Sequence, residues 1–267
     1  IEGKVLLDGK NLLEFTERQM EQVRGYSISM VFQDALSALN PVMRIGDQIM
    51  EVIRLHHKEI SKEEARERTL HMLKSVGIPA YQERFRQYPH ELSGGMRQRI
   101  MIAIALVCQP QILIADEPTT ALDVTIQAQI MNLIVKLKEK MGMSVMLITH
   151  DLAVVAETCD RVIVMYLGQI VEEASVKELF QKPAHPYTRG MMMSIPAMSE
   201  KRDQRLYMIK GTVPLLNQIP KGCRFAPRCE FATEQCRQNM PELVELEGSH
   251  KVRCFMPRGN AYETDRK

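Results

Sequence analysis

The chain has 267 residues, 45% of them hydrophobic, with 35 Lys and Arg against 33 Asp and Glu for a formal net charge of +2. At about 150 residues per domain this is one large domain or one domain plus an appendage, and either is long enough to bury a core. The near-neutral charge lacks the electrostatic footprint of a dedicated nucleic-acid binder, and the longest apolar run, Ile100 to Cys108, falls well short of the roughly 20 residues that cross a bilayer.

Taken in chain order, the N-terminal residues carry no basic segment followed by an apolar core and a cleavage site, so the expectation is a cytosolic protein. Short strands around Asp8-Gly9 come first, then a polar helix near Glu17 to Arg24 and a strand from Ser27 to Phe32. After a loop ending at Asn40-Pro41 the pattern is helical from Ile45 to Gln87, with a capping box at Ser61-Lys-Glu-Glu64 and a stop at Gly77 and Pro79. A helix from Met96 to about Cys108 puts Ile100, Ala103, Ile104 and Val107 on one buried face. The strand Gln111 to Ala115, a helix capped by Asp123 and ended by Gly142, and the strand Ser144 to Ile148 make a βαβ unit with a buried parallel sheet. The strand Val162 to Tyr166 is expected to extend that sheet. After Gln181 the texture changes, with Pro183, Pro186, Pro196, Pro214, Pro220 and Pro227 interrupting any long element. A domain boundary near residue 182 is expected, giving domains of 1–182 and 183–267. The 19 methionines, Met191 to Met193 among them, read as core filler.

Open parallel sheets bind ligands at the carboxyl ends of their strands, and three polar pairs fall there: Gln33-Asp34, Asp116-Glu117 and His150-Asp151. Each alone reads equally as a helix cap or a solvated loop; their shared edge is what points to a site. Adjacent residues on an extended chain face opposite ways, so Asp116 and Glu117 are expected to divide their labour. One would hold a Mg²⁺ shell and the other polarise an attacking water, as phosphoryl transfer requires. The alternative, a buried pair that only caps the Pro118 turn, carries the cost of two buried charges without a cation. In Leu92-Ser-Gly-Gly-Met96, Ser93 can cap the next helix, while Gly94 and Gly95 leave its first N–H groups open to an anion.

The order and spacing of these pieces carry a resemblance. Phe32-Gln33-Asp34, Leu92-Ser-Gly-Gly-Met-Arg-Gln98, Ile112-Leu-Ile-Ala-Asp-Glu117, Ala121-Leu-Asp123 and Thr149-His150 resemble the Q-loop, signature, Walker B, D-loop and H-loop of ABC-transporter ATPases. The segments Tyr88 to Arg99 and Ala115 to Asp123, together with His185-Pro-Tyr-Thr188 and the cysteine-rich C-terminus, look like the dipeptide and oligopeptide importer branch. The implied fold is an α/β ABC ATPase core on a P-loop-type parallel sheet, with a helical subdomain over about residues 40–95 and a small Cys-rich C-terminal domain. The resemblance implies ATP and Mg²⁺ as ligands, with Gln33 sensing Mg²⁺ and the membrane partner, Asp116 supporting the metal and Glu117 as general base. It implies His150 at the γ-phosphate, with Ser93, Gly94, Gly95 and Asp123 working on a nucleotide held by the opposite subunit. The implied partners are a second ATP-binding subunit, two membrane permease subunits and, indirectly, an extracytoplasmic solute-binding protein, with no nucleic acid. The implied place is the cytoplasmic face of the membrane.

Two departures stand out. Ala35 follows Gln33-Asp34 where this branch usually has proline. No Gly-x-x-x-x-Gly-Lys-[Ser/Thr] loop, the backbone cradle and lysine that hold phosphates, occurs in the sequence. The expectation is an N-terminally truncated chain, unable to hydrolyse ATP alone and lacking part of its core.

Six cysteines in a reducing compartment are not read as a disulfide framework. Cys108 and Cys159 are expected to be inert, whereas Cys223-x5-Cys229-x6-Cys236-x17-Cys254 is a cluster with wider gaps than structural zinc usually shows. Each of the four has an arginine neighbour, Arg224, Arg228, Arg237 or Arg253, expected to favour thiolate. A [4Fe–4S] centre is the preferred reading, as the resemblance also implies; Zn²⁺ and metal-free thiols are the alternatives. The expected function is the ATP-hydrolysing subunit of a dipeptide or oligopeptide importer. The alternatives are a non-catalytic half-site or metal-sensing subunit, or an importer of nickel complexes or glutathione.

Overall fold

The computed structural model describes residues 2–120, 122–194 and 207–257; Ala121 of the Ala-Leu-Asp motif and Pro196 lie outside them. The described chain forms two compact units that meet in sequence between His150 and Asp151.

In the first unit, strands β1 (Leu6–Leu7) and β2 (Lys10–Asn11) pair antiparallel across Asp8-Gly9. Both turn residues have positive φ, 48° and 77°, the requirement of a two-residue hairpin turn. Helix α1 (Glu17–Val23) starts at a capping box between Thr16 and Gln19. Strand β3 (Ile28–Val31) and the short helix α2 (Ala35–Ala38) follow. Then come α3 (Ile45–His56), α4 (Lys62–Ser75) and α5 (Tyr81–Arg84). Ser61 caps α4 by accepting from the Glu64 amide at 3.1 Å, but the Glu64 carboxylate turns to Arg68 at 2.8 Å, so only half of the expected box forms.

Helix α6 (Gly94–Leu106) is wrapped by β3, α3 and α4 rather than presenting one face, and Met101, Ile102, Ala105 and Leu106 are buried alongside Ile100 and Ala103. Strand β4 (Ile112–Asp116), helix α7 (Val124–Met141) and strand β5 (Ser144–Ile148) complete the expected βαβ unit, but the sheet is not buried throughout as expected, since Met146 and Ile148 of β5 are exposed. The sheet runs β3-β4-β5 with β4 parallel to both neighbours, Ile112 pairing with Ile28 on one side and Ser144 on the other. Gly142 ends α7 in the left-handed region at φ 65°, a conformation that costs glycine little.

The second unit begins with α8 (Leu152–Thr158), β6 (Arg161–Tyr166), β7 (Gln169–Ser175) and α9 (Val176–Gln181). It continues with α10 (Pro186–Met193), α11 (Glu234–Gln238), β8 (Val244–Glu247) and β9 (His250–Val252). Its sheet is antiparallel with order β6-β7-β9-β8. The strand Val162 to Tyr166 therefore does not extend the parallel sheet. Leu167 and Gly168 both have positive φ, 45° and 74°, and a two-residue turn of that kind returns the chain antiparallel, whereas parallel pairing needs a long crossover.

Val164, Tyr166, Val171, Leu179, Met192 and Phe225 share one core. Residues on both sides of the expected boundary near 182 thus pack together, and the second unit starts earlier, at Asp151. Among the described residues no helix is long and apolar enough to cross a membrane.

Candidate functional site

The parallel pairing of β3, β4 and β5 brings their carboxyl ends side by side, and with them Gln33, Glu117 and His150. The β4–β5 ladder runs one residue past Asp116, where the Glu117 amide donates to the Ile148 carbonyl at 2.9 Å. There the chain leaves the extended conformation: Glu117 has φ 43°, a costly setting for a long side chain. This corrects the expectation of an extended Asp116-Glu117 pair facing opposite sides, because the two carboxylates are separated by a left-handed turn. Asp116 stays in register with Ile148 at the strand end, half-buried.

The turn delivers the Glu117 carboxylate to three donors. Oε2 accepts from the Gln33 side-chain amide at 2.9 Å and from the Thr120 hydroxyl at 2.8 Å, and Oε1 lies 3.2 Å from His150 Nδ1. The Thr120 hydroxyl, followed by the His150 hydrogen bond, holds the Glu117 carboxyl below the usual carboxylate range. The Glu117 side chain is 27% exposed and that of His150 79% exposed, so the carboxylate is gripped yet open to solvent.

Ser93 caps α6 as expected, its hydroxyl accepting from the Met96 amide at 3.4 Å. A Cβ on Gly95 would lie 3.0 Å from Ile126 of α7, so the glycine permits a close approach of the two helices. Asp123 caps α7 by accepting from the Ile126 amide at 2.9 Å. Gln33 and Thr120 line an open groove with Asp34, Ala35, Gly94, Arg97 and Gln98, which puts the signature glycine Gly94 on one surface with two of the three Glu117 donors. Buried Gln98 donates from Nε2 to the Pro118 carbonyl, tying α6 to the turn that aims Glu117. Thr120 and Gln98 stood inside the sequence motifs without a role; the only signal for them was a hydroxyl and an amide adjoining charged or glycine positions.

In the second unit, Cys223, Cys229, Cys236 and Cys254 line one cavity together with His185, Phe225 and Phe231. The Cys223 amide donates to the Cys236 carbonyl at 2.8 Å, which closes the loop carrying the first three. Burial pushes the Cys229 and Cys254 thiols up to about 11 and raises Cys223 as well, and the neighbouring cysteines add to the rise. The expectation that flanking arginines stabilise thiolates is corrected. Arg224 donates to the Leu167 carbonyl, Arg228 to Lys210 and Ile209, and Arg253 to Ile170 and Pro241. Arg237 pairs with Glu234 at 3.7 Å. Backbone carbonyls take the guanidinium groups of Arg224, Arg228 and Arg253, and a carboxylate takes that of Arg237. Among the described residues, no three His, Cys, Asp or Glu side chains are gathered as one metal ion would require.

Residues 1–120 match the ABC transporter family, and residues 171–236 match the family described as oligopeptide/dipeptide transporter, C-terminal region. The chain is 56% identical over 253 residues to the "Probable peptide ABC transporter ATP-binding protein y4tR" of Sinorhizobium fredii, covering 95% of this chain and 75% of that protein. It is 51% identical to the oligopeptide transport ATP-binding protein AppD of Bacillus subtilis, covering 96% and 77%. The chain belongs to the ATP-binding proteins of peptide ABC transporters. The dipeptide transport ATP-binding protein DppD of Haemophilus influenzae is 49% identical, over 96% of this chain and 78% of that one. Among solved structures, the dimeric structure of MJ0796, a bacterial ABC transporter cassette, superposes with a TM-score of 0.59 at 32% identity, covering 66% of this chain and 74% of that chain. The α/β fold of an ABC ATPase is thereby shared, and members of the ABC transporter ATP-binding family are ATPases.

Proposed function

We propose that this chain is the ATP-hydrolysing subunit that energises peptide import, acting at the cytoplasmic face of the membrane. The observation that carries the reading is the Glu117 carboxylate at the end of β4, held by Gln33, Thr120 and His150. In the proposed mechanism Glu117 accepts the proton of the water that attacks the γ-phosphate, and Thr120 and Gln33 fix the oxygen that does so. Such a positioned base contributes about 10²–10⁴-fold in rate. His150, exposed beside it, takes the γ-phosphate. Asp116 and Gln33 are the groups that fit a Mg²⁺ shell, an acceptor set of carboxylate and amide oxygens; that ion would neutralise charge on the transferring phosphoryl group.

Ser93, Gly94 and Gly95 at the start of α6, with Asp123, complete the nucleotide site of a second ATP-binding subunit. Two membrane permease subunits and an extracytoplasmic solute-binding protein make up the rest of the assembly. In this reading nucleotide chemistry lies within the first unit, up to His150, and the second unit, from Asp151, carries the cysteine site.

For the tail the reading is a [4Fe–4S] centre on Cys223, Cys229, Cys236 and Cys254. Its support is that the four half-buried cysteines line one cavity. The test of the import reading is uptake of a labelled peptide into vesicles holding the complete transporter. Uptake that needs ATP and this subunit supports it; uptake unaffected by deleting the subunit overturns it.

A further inference from the structure

Residues Glu117 to Thr120 form a turn that the Thr120 amide closes by donating to the Glu117 carbonyl at 3.1 Å. Pro118 and Thr119 are its two central residues, and proline suits the first place because its ring presets φ. The turn carries the Thr120 hydroxyl onto Glu117 Oε2 at 2.8 Å. Its central peptide joins Pro118 to Thr119, and the carbonyl of that peptide takes no part in closing the turn. The orientation of this peptide is what distinguishes one turn type from another. Whatever binds the Pro118 carbonyl therefore sets the geometry that brings Thr120 to the carboxylate.

The group that binds it is Gln98 of α6, whose Nε2 donates to the Pro118 carbonyl from a side chain 4% exposed. Burying an amide is costly unless it is hydrogen-bonded, and this carbonyl supplies the compensating acceptor. Gly94 lies four residues earlier, on the same face of the helix, and both residues line the groove with Thr120. The link is stiffened by its neighbours. A Cβ on Gly94 would lie 3.8 Å from Leu122 and one on Gly95 3.0 Å from Ile126, while Arg99 donates to Gln129 Oε1 at 3.2 Å. Pro118, Leu122, Ile126 and Gln129 are thus held against the first half of α6.

We propose that Gln98 is a positioning residue for Glu117, setting through the Pro118 carbonyl the turn that places Thr120 on the base, and so making hydrolysis of this subunit's nucleotide depend on how α6 seats against the nucleotide of the second subunit. The inference rests on the reading above, in which Glu117 is the base and Ser93, Gly94 and Gly95 meet the other subunit's nucleotide. A phosphate drawn to the N–H groups at the start of α6 acts on the same helix that, one turn later, holds the turn beside the base. Such a link shows itself as cooperativity in ATP.

The experiment measures ATP turnover against ATP concentration and pH for the assembled transporter carrying the full-length subunit as wild type, Q98M, T120V or Q98M/T120V. Methionine keeps the length and bulk of glutamine without the donor, and Gln33 and His150, the other partners of the Glu117 carboxylate, stay in place. Q98M is expected to lower kcat about 10-fold, part of the 10²–10⁴-fold that a positioned base supplies, with KM for ATP little changed. Its acidic limb moves upward as that of T120V does, and its Hill coefficient for ATP falls toward one. Because both residues act through one turn, Q98M adds little to T120V in the double variant. Effects that multiply independently, with the limb of Q98M unmoved, overturn the inference and leave Glu117 as the base. Equal turnover of E117Q and wild type overturns the base reading and this inference with it. If Q98M does not assemble, Q98E takes its place. Its carboxyl group has the shape of the amide but donates only when protonated, so its kcat relative to wild type is expected to rise as the pH falls, and a ratio flat with pH overturns the inference.

Discussion

Gln33 and Glu117 lie 84 residues apart in sequence, and the amide of the first donates to the carboxylate of the second at 2.9 Å. The bond joins Gln33, two residues past the end of β3, to Glu117, the first residue past β4. It exists only because those strands run parallel and in register, Val31 beside Ala115. A change in sheet pairing would therefore appear directly as a change in the environment of the proposed base.

Thr120 is the largest cause of the lowered Glu117 pKa, and this fixes the sign of a pH effect. A carboxylate held below its ordinary range stays ionised further into acid, so the acidic limb of kcat/KM for ATP falls at lower pH than an unassisted carboxylate would give. The variant T120V removes that hydrogen bond and is expected to move the limb upward. A pH–rate profile of the assembled transporter checks this, and an unmoved limb would detach Thr120 from the base.

The bonds around Glu172 predict a large loss of stability. Truncation in E172A leaves the Ala184 and His185 amides and His250 Nε2 without their acceptor in the core of the second unit. Leaving a buried donor without its acceptor costs about 1–3 kcal/mol for each group, and a loss of at least that size is expected in denaturant unfolding followed by a probe in this unit. A change within experimental error would show that the cluster is not needed for packing.

At Gly222 an added Cβ would overlap the backbone carbonyls of Cys236 and Arg237, atoms that cannot swing away as a side chain can. G222A is expected to cost about 1–3 kcal/mol, the usual range for overpacking, and to displace Cys236 from the cavity. Calorimetry reads the first effect and metal content the second.

The cysteine reading makes a stoichiometric prediction. Anaerobic full-length protein is expected to hold about four irons and four sulfides, both lost in C229S. Zinc in their place would select the single-ion alternative, and no metal would leave the thiols a structural lining.

Much of this molecule was legible because its signals are local. Asp123 and Gly142 bracket α7 as cap and stop, and the apolar runs of β4 and β5 sit where their composition places them. What stayed hidden is where two physical effects look alike in sequence. Ile163 and Met165 are apolar yet 52% and 57% exposed, so the alternation that marks β6 as a one-sided antiparallel strand is masked and the run imitates a buried parallel one. Leu167-Gly168, the turn that decides the matter, reads as a strand end because leucine rarely takes positive φ. The arginines beside the cysteines mislead for another reason. Sequence adjacency gives no direction: the guanidinium groups of Arg224, Arg228 and Arg253 turn to backbone carbonyls elsewhere in the unit, and that of Arg237 to the Glu234 carboxylate. At the site, Gln33, Glu117 and His150 were legible as strand-end residues, but the left-handed turn at Glu117 was not, since nothing in Asp-Glu-Pro demands it.

The most direct test of the central claim is ATP turnover by the transporter in proteoliposomes, with and without a peptide-loaded binding protein, for wild type and E117Q. The account predicts Mg²⁺-dependent hydrolysis stimulated by peptide in wild type, and in E117Q a fall of about 10²–10⁴-fold with ATP binding retained. Turnover in E117Q equal to wild type, or hydrolysis indifferent to peptide, would contradict it.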